Sequence, residues 1–200
     1  MDDPLSTYRT REWFESLAWQ HRWIEYMAGW WVGEFGKPTT VIDFGAGDGW
    51  WPHAFKQMCF DHVRTIAIEL DWAAEEFIQS GTEFIQHDLR TSLRGGRPSD
   101  LSICLEVAEH MTELEARNVL VPTLSRYSAA VLIFSAAQPG QEGTGHINLQ
   151  TPDYWIRTFE QQGKLKLSRE RTTKVRQAFE RILPVPYQFL PRNLLIFVPA

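Results

Sequence analysis

The stretch Val41-Ile42-Asp43-Phe44-Gly45-Ala46-Gly47-Asp48-Gly49 decides the fold of this chain. An apolar, β-prone run leads directly into three closely spaced glycines, and a helix-like segment at 51–59 follows. Glycines at such a position allow a sharp turn and a close approach of the backbone to a ligand. The stretch therefore predicts a strand, a ligand-binding turn and a helix, which is how a parallel α/β fold begins.

The glycine turn departs from the GxGxxG pattern of the dinucleotide-binding folds. Trp50 occupies the place of the last glycine, where a large side chain opposes close packing of the helix on the strand. Asp43 and Asp48 also put negative charge around the turn, which repels a pyrophosphate and favours a cationic ligand. A nicotinamide dehydrogenase is therefore the least favoured of the enzyme classes considered.

Apolar runs and helix-like segments alternate along the remainder of the chain. We expect strands at 39–44, 63–70, 83–86, 101–105, 129–135, 165–172 and 193–198. We expect helices at 7–35, 51–59, 72–80, 113–125 and 152–162. The alternation predicts an α/β fold with a mostly parallel seven-stranded sheet flanked by helices. We expect one compact unit, with an N-terminal helical cap or lid at 1–38 and the main domain at 39–200.

Acidic residues follow the predicted strands at a regular interval. Glu69 comes 20 residues after Gly49, Asp88 comes 19 residues later, and Glu106 comes 18 residues after that. An acid about 20 residues beyond a glycine turn can accept hydrogen bonds from ribose hydroxyls. Because the carboxyl ends of parallel strands meet at one edge of a sheet, these acids are expected to surround a single crevice.

These motifs resemble those of the class I S-adenosylmethionine (SAM)-dependent methyltransferases, which have a Rossmann-like fold. Segments 41–49, 67–70, 87–89 and 105–110 resemble, in order, the glycine turn, the ribose site, the adenine site and the segment at the methyl-donor end. The resemblance implies that SAM is the cofactor, with Glu69 on the ribose and Asp88 and Leu89 on the adenine. The cofactor-binding residues that it implies are Asp43, Gly45, Ala46, Gly47, Asp48, Glu69, Leu70, Asp88, Leu89 and Glu106.

Two histidines are the candidate catalytic residues, because an imidazole can take the proton of a hydroxyl acceptor near neutral pH. His146 lies in the glycine-rich segment 140–148, which resembles a Gly-His-x-Asn stretch of some small-molecule methyltransferases from bacteria and viruses. His110 follows the fourth strand at the start of a helix. His146 is favoured as the base, and proximity without a base is the open alternative. The candidates for the acceptor side are Trp50, Trp51, Asn148 and Trp155.

Composition and charge narrow the function classes. The chain has 200 residues with a net charge of −5, and it carries two cysteines outside any CxxC pair. An acidic balance disfavours general binding to the nucleic-acid backbone. The six histidines show no tight spacing, so no metal is expected. The polar start and the short apolar runs predict a cytoplasmic protein that is not embedded in a membrane.

The function expected from the sequence is SAM-dependent methylation of an oxygen or nitrogen atom of a small-molecule acceptor by a monomer or homodimer. One alternative is methylation of nucleic acid. The motifs disfavour it, because the segment 105–108 reads Leu-Glu-Val-Ala instead of the Asn/Asp-Pro-Pro-aromatic motif of amino-methylating DNA enzymes. A second alternative is a non-catalytic SAM-binding partner subunit.

Overall fold

The computed structural model describes residues 10–60, 62–162, 164–184 and 187–200. It contains a seven-stranded sheet flanked by helices. The strands are β1 (Thr40–Phe44), β2 (Arg64–Glu69), β3 (Thr82–Gln86), β4 (Ser99–Leu105), β5 (Ser128–Ser135), β6 (Leu165–Leu167) and β7 (Leu195–Pro199). The helices are α1 (Arg11–Ser16), α2 (His21–Phe35), α3 (Trp50–Cys59), α4 (Glu113–Glu115), α5 (Val121–Tyr127), α6 (Pro152–Gln162), α7 (Arg169–Ile182) and α8 (Phe189–Asn193).

The sheet has the strand order β3-β2-β1-β4-β5-β7-β6. β1 to β5 are parallel to one another, and β7 runs antiparallel to both β5 and β6. The chain moves outward from β1 to β3 and then crosses back to place β4 on the other side of β1. Such a reversal opens a crevice beyond the carboxyl ends of β1 and β4, where α/β sheets bind their ligands. The predicted mostly parallel, seven-stranded sheet is confirmed.

Hydrophobic residues fill the space on both faces of the sheet. Alternate residues of β5 point to opposite sides, with Phe134 in one cluster and Ile133 in the other. Trp155 and Phe159 of α6 pack around Phe134, whereas Phe179 of α7 belongs to the second cluster. This double burial holds the central strands rigidly, so the turns that follow them have fixed positions.

Three predicted elements differ from the structure. The described part of the predicted helix 7–35 is interrupted by a 3₁₀ turn at Leu17–Gln20, and residues 7–9 lie outside the described residues. The predicted helix 72–80 is only a 3₁₀ turn at Trp72–Glu76.

The predicted strand 165–172 was also wrong beyond its first residues, because β6 ends at Leu167 and α7 begins at Arg169. The buried residues Thr172, Val175 and Phe179 recur at three- and four-residue steps, which is the spacing of one helix face. Among the described residues, no helix has the length and apolar character needed to cross a bilayer.

Candidate active site

A cavity of about 530 Å³ lies at the carboxyl ends of β1, β2 and β4. One side, the cofactor wall, contains every residue that the sequence assigned to the cofactor: Asp43, Gly45, Ala46, Gly47, Asp48, Glu69, Leu70, Asp88, Leu89 and Glu106. Apolar and aromatic side chains form a second side, the aromatic wall: Trp13, Leu17, Trp19, Trp23, Ile24, Met27, Leu183, Tyr187, Phe189 and Leu190. The lining of the cavity therefore includes both a polar and an apolar set of residues.

The glycine turn fits tightly between its neighbours. Gly45 has φ +79°, and a Cβ built on it would lie 2.5 Å from a methyl group of Val107. Gly47 has φ +55°, and its Cβ would lie 3.0 Å from Cδ1 of Leu17 in the cap. A side chain at either position would strain the backbone and clash with the side chain that faces it, so both positions require glycine.

Glu69 holds the glycine turn against the end of β2. Its carboxylate accepts hydrogen bonds from the backbone N–H of Gly47 at 2.9 Å and from that of Leu70 at 2.6 Å. Burial raises the pKa of Glu69, and these backbone bonds partly offset the rise. A carboxylate can accept about four hydrogen bonds, so Glu69 keeps capacity for ligand hydroxyls.

Asp43 is a buried acidic residue of the same cofactor wall. Its side chain is 2% exposed, and burial raises its pKa well above the usual value, with further contributions from the charges of Glu69 and Asp48. Three carboxyl groups therefore lie close together around the turn. Their combined charge favours a cationic ligand group, because a cation would relieve their mutual repulsion.

Asp88 follows β3 and is held by its own neighbour. Its carboxylate accepts bonds from the guanidinium of Arg90, the shortest at 2.9 Å, and from the Arg90 backbone N–H at 2.9 Å. Partial burial opposes ionisation of Asp88, but the bonds from Arg90 outweigh it and lower the pKa. Asp88 therefore presents a fixed anion at the rim of the cofactor wall.

The segment after β4 carries two acids. Glu106 has an unusual φ of +54°, and its carboxylate accepts bonds from Gln141 Nε2 at 3.0 Å and Asn193 Nδ2 at 3.1 Å. Glu109 is fully buried; its Oε1 accepts a 3.2 Å bond from the N–H of Ala137, and its Oε2 has no hydrogen-bond partner in the described part of the chain. Burial and the charge of Glu106 raise the pKa of Glu109 well above its usual value.

The two candidate histidines meet beside these acids. The ring centroids of His110 and His146 are 5.0 Å apart. Nδ1 of His110 lies 3.2 Å from the carbonyl oxygen of Gly145, and Nδ1 of His146 lies 3.2 Å from that of Gln141. A carbonyl oxygen only accepts, so both histidines carry a proton on Nδ1. Burial and the neighbouring His146 lower the pKa of His110, although its bond to Gly145 partly offsets this.

Three of the acceptor-side assignments need correction. Trp155 is 1% exposed in the core against Phe134, so it cannot reach a ligand in the cavity. Asn148 is also buried, and its side-chain N–H donates to the carbonyl of Ala108. Trp50 does not line the cavity either, because its ring stacks on His21.

The fourth acceptor-side candidate, Trp51, lines the cavity, as do His110 and His146. Sequence reasoning missed Glu109, Gln141 and Asn193. Glu109 could have been found, because it directly precedes His110 in the segment already singled out. Asn193 lies 87 residues from its partner Glu106, and no local pattern indicates that contact.

Neither a protein-family model nor a curated protein sequence matches the chain. Solved methyltransferase structures are similar to it over nearly its whole length. The plantazolicin methyltransferase BpumL, in complex with a desmethyl analogue and S-adenosylhomocysteine (SAH), has a TM-score of 0.64 at 11% identity, covering 98% of this chain and 94% of that one. Magnesium protoporphyrin IX methyltransferase of Synechocystis, with bound SAM, has a TM-score of 0.64 at 16% identity, covering 100% and 98%. An amino pentose methyltransferase of Micromonospora echinaspora, with bound SAM, has a TM-score of 0.66 at 12% identity, covering 93% and 96%.

Proposed function

We propose that this chain, which has the fold of the class I SAM-dependent methyltransferases, transfers a methyl group from SAM to an oxygen or nitrogen atom of a small-molecule acceptor. One observation carries the proposal. A single cavity has all ten residues of the predicted SAM site on one wall and a continuous set of aromatic and aliphatic side chains on another. Such a cavity can hold a polar methyl donor next to an apolar methyl acceptor.

The cofactor wall suits the chemistry of SAM. The carboxyl groups of Asp43 and Asp48 can offset the positive charge of an ammonium or sulfonium group. Glu69 has acceptor capacity for ribose hydroxyls, and the aliphatic side chain of Leu89 offers an apolar surface to a flat base. SAM supplies an electrophilic methyl group when bound, and the protein's part is to hold a nucleophile in line with it.

The aromatic wall indicates the shape, polarity and charge of the methyl acceptor. Trp19 stacks on Tyr187 with 3.7 Å between ring centroids, so the two segments of the chain that form this wall contact each other. Within the described lining, Arg90 is the one arginine or lysine, and it is already paired with Asp88. A flat, apolar acceptor that is neutral or cationic fits this wall better than a phosphate or carboxylate compound.

His110 and His146 are assigned to the acceptor end of the cavity, where they promote loss of the acceptor's proton. Both rings carry their proton on Nδ1, so Nε2 is the unprotonated nitrogen of each ring. Proton removal matters for a hydroxyl acceptor, because a neutral hydroxyl is a weak nucleophile.

Calorimetry and a transfer assay test this function. We expect the purified protein to bind SAM and SAH at micromolar level and to show no binding of NAD. With methyl-labelled SAM, label should pass to flat aromatic phenols or amines in an acceptor panel, and not to matched compounds carrying a phosphate. Binding of NAD in place of SAM would contradict the cofactor assignment. SAM binding without transfer to any acceptor class would favour the non-catalytic partner subunit.

A further inference from the structure

The cluster formed by Glu109, His110 and His146 has the composition of a metal site. One possible ligand atom from each residue lies within 4.8 Å of the other two. We propose that these three residues bind one divalent transition-metal ion at the acceptor end of the cavity. Metal–ligand bonds to nitrogen and oxygen are about 2.0–2.2 Å long, so the three groups would need to move inward by roughly 1 Å.

His146, on the irregular segment 136–151, would make most of that movement. It lies between Gly145 and the exposed Ile147, whereas Glu109 and His110 are held by the turn after β4. The carbonyl of Glu109 accepts bonds from the N–H groups of Ile147 and Asn148 at 2.9 and 3.1 Å. The segment is therefore anchored next to the cluster, which keeps His146 beside Glu109 and His110.

Both imidazoles are oriented as metal ligands usually are. Metal-binding histidines commonly donate their second ring N–H to a carbonyl oxygen, which fixes the tautomer and the ring plane. His110 does this with Gly145, and His146 does it with Gln141. Gly143 makes the second orientation possible, because a Cβ on it would lie 2.2 Å from the His146 ring. The backbone of one loop thus sets the direction of both rings.

Glu109 provides an independent reason for a cation. Its side chain is fully buried, and its Oε2 has no hydrogen-bond partner among the described residues. The carboxyl of Glu106 lies within hydrogen-bond reach of Glu109, and two such groups need a proton or a cation between them. Glu106 adds a second carboxylate nearby, and its own partners are the amides of Gln141 and Asn193. A divalent ion would satisfy Oε2 and offset the charge of both acids.

The donor set indicates the class of metal. Two imidazoles and a carboxylate suit Mn²⁺, Fe²⁺, Co²⁺ or Zn²⁺, whereas Mg²⁺ and Ca²⁺ prefer oxygen donors alone. Such an ion acts as a Lewis acid and lowers the pKa of a hydroxyl that it contacts. In the transfer, an acceptor oxygen lone pair forms the new O–C bond, the C–S bond pair passes to sulfur, and the hydroxyl proton passes to water.

This catalytic meaning rests on the proposed function, although metal binding by itself does not. It also changes the role of His146 from a base, as predicted from the sequence, to a ligand. Activity would then depend on the metal.

Cobalt titration tests the site directly. Protein treated with a chelator and dialysed is titrated with Co²⁺, and visible absorption and calorimetry follow binding. We expect one ion per chain, with affinity lowered at least about tenfold in Glu109→Gln and in His146→Ala. The matched control is His62→Ala, which removes an exposed histidine far from the cluster in sequence. Absence of binding by the wild-type chain, or equal binding by all variants, would overturn the proposal.

Two further measurements distinguish loss of the metal site from misfolding and from failure of the proposed function. Glu109→Gln preserves the shape of a buried side chain, and if it fails to fold, His146→Ala on the irregular segment decides the question. SAM binding is measured separately on the chelated protein. SAM binding without cobalt binding overturns the metal site alone, whereas cobalt binding without SAM binding overturns the proposed function and leaves the metal site standing.

Discussion

Nε2 of His21 lies 2.5 Å from Oδ2 of Asp48, so the first residue of α2 is bonded directly to the glycine turn after β1. The His21 ring also stacks on Trp50, with 3.6 Å between centroids and an angle of 5° between planes. The helical cap therefore contacts the cofactor wall through a polar bond as well as through apolar packing. Any ligand that reorganises the turn must also affect the cap.

Removing the His21 contact should loosen the cap. Hydrogen bonds to a charged group contribute about 1.5–3 kcal/mol, so we expect His21→Ala to lower SAM affinity by roughly tenfold or more. Hydrogen exchange over residues 10–35 should be faster in this variant than in the wild type. His62→Ala, at an exposed position, should change neither quantity. Unchanged exchange in His21→Ala would mean that apolar packing alone holds the cap.

The cap is also expected to respond to the cofactor in the wild-type chain. Leu17 and Trp13 lie over Gly47, so a ligand at the turn should restrict α1 and the beginning of α2. Hydrogen exchange with and without SAM should show slower exchange over residues 10–35 when SAM is present. Equal protection in both states would assign the aromatic residues of the cap to ordinary core packing.

Glu69 should be required for SAM binding. Its carboxylate positions the amides of Gly47 and Leu70 and is the expected ribose acceptor. We expect Glu69→Ala to weaken SAM binding by about 1.5–3 kcal/mol in calorimetry, which is the usual contribution of hydrogen bonds to a charged group. Glu83→Ala is a matched control, because Glu83 is bound to Arg64 on the surface. Equal affinity in both variants would contradict the ribose assignment.

The buried Asp43 should make SAM binding depend on pH. Burial raises the pKa of Asp43. The ligand-free protein therefore keeps a proton on this carboxyl group at pH values above the usual aspartate pKa of about 3.9. A cationic ligand favours the ionised carboxylate, so binding releases the proton. SAM affinity should therefore increase as pH rises through the raised pKa and then level off. Asp43→Asn should remove this dependence in calorimetric titrations at several pH values. If SAM affinity depended on pH in the same way in Asp43→Asn, the pH dependence would come from another group.

Gly143→Ala tests the positioning of His146 without changing any ionisable group. The added methyl would fall 2.2 Å from the His146 ring and should displace it. We expect turnover in the methyl-transfer assay to fall at least about tenfold while SAM affinity stays unchanged. Gly33→Ala is the matched control, since nothing lies within 4 Å of its added methyl. Normal turnover in Gly143→Ala would show that the observed position of His146 is not needed.

The cofactor wall could be predicted from the sequence because its signals are local. Each of Asp43, Glu69 and Glu106 stands at or just beyond the end of an apolar run, and a parallel sheet brings such positions together. The acceptor side could not be predicted in this way. Trp155 and Asn148 follow the fifth strand in the sequence, but packing of α6 on the sheet buries one and backbone contacts of the turn after β4 bury the other. Their roles depend on contacts between distant segments.

The two walls of the cavity come from different parts of the chain. The cofactor wall lies between residues 43 and 106, whereas the aromatic wall comes from residues 13–27, from Leu183 and from residues 187–190. The segment 13–27 also contacts the glycine turn, through Leu17 over Gly47 and His21 on Asp48, so it serves the donor as well as the acceptor. Sequence changes at 187–190 can alter which molecule is accepted, whereas changes at 13–27 also affect the turn that serves the donor. Exchange of 187–190 alone between related folds is therefore the more direct route to a new acceptor specificity on an unchanged donor site.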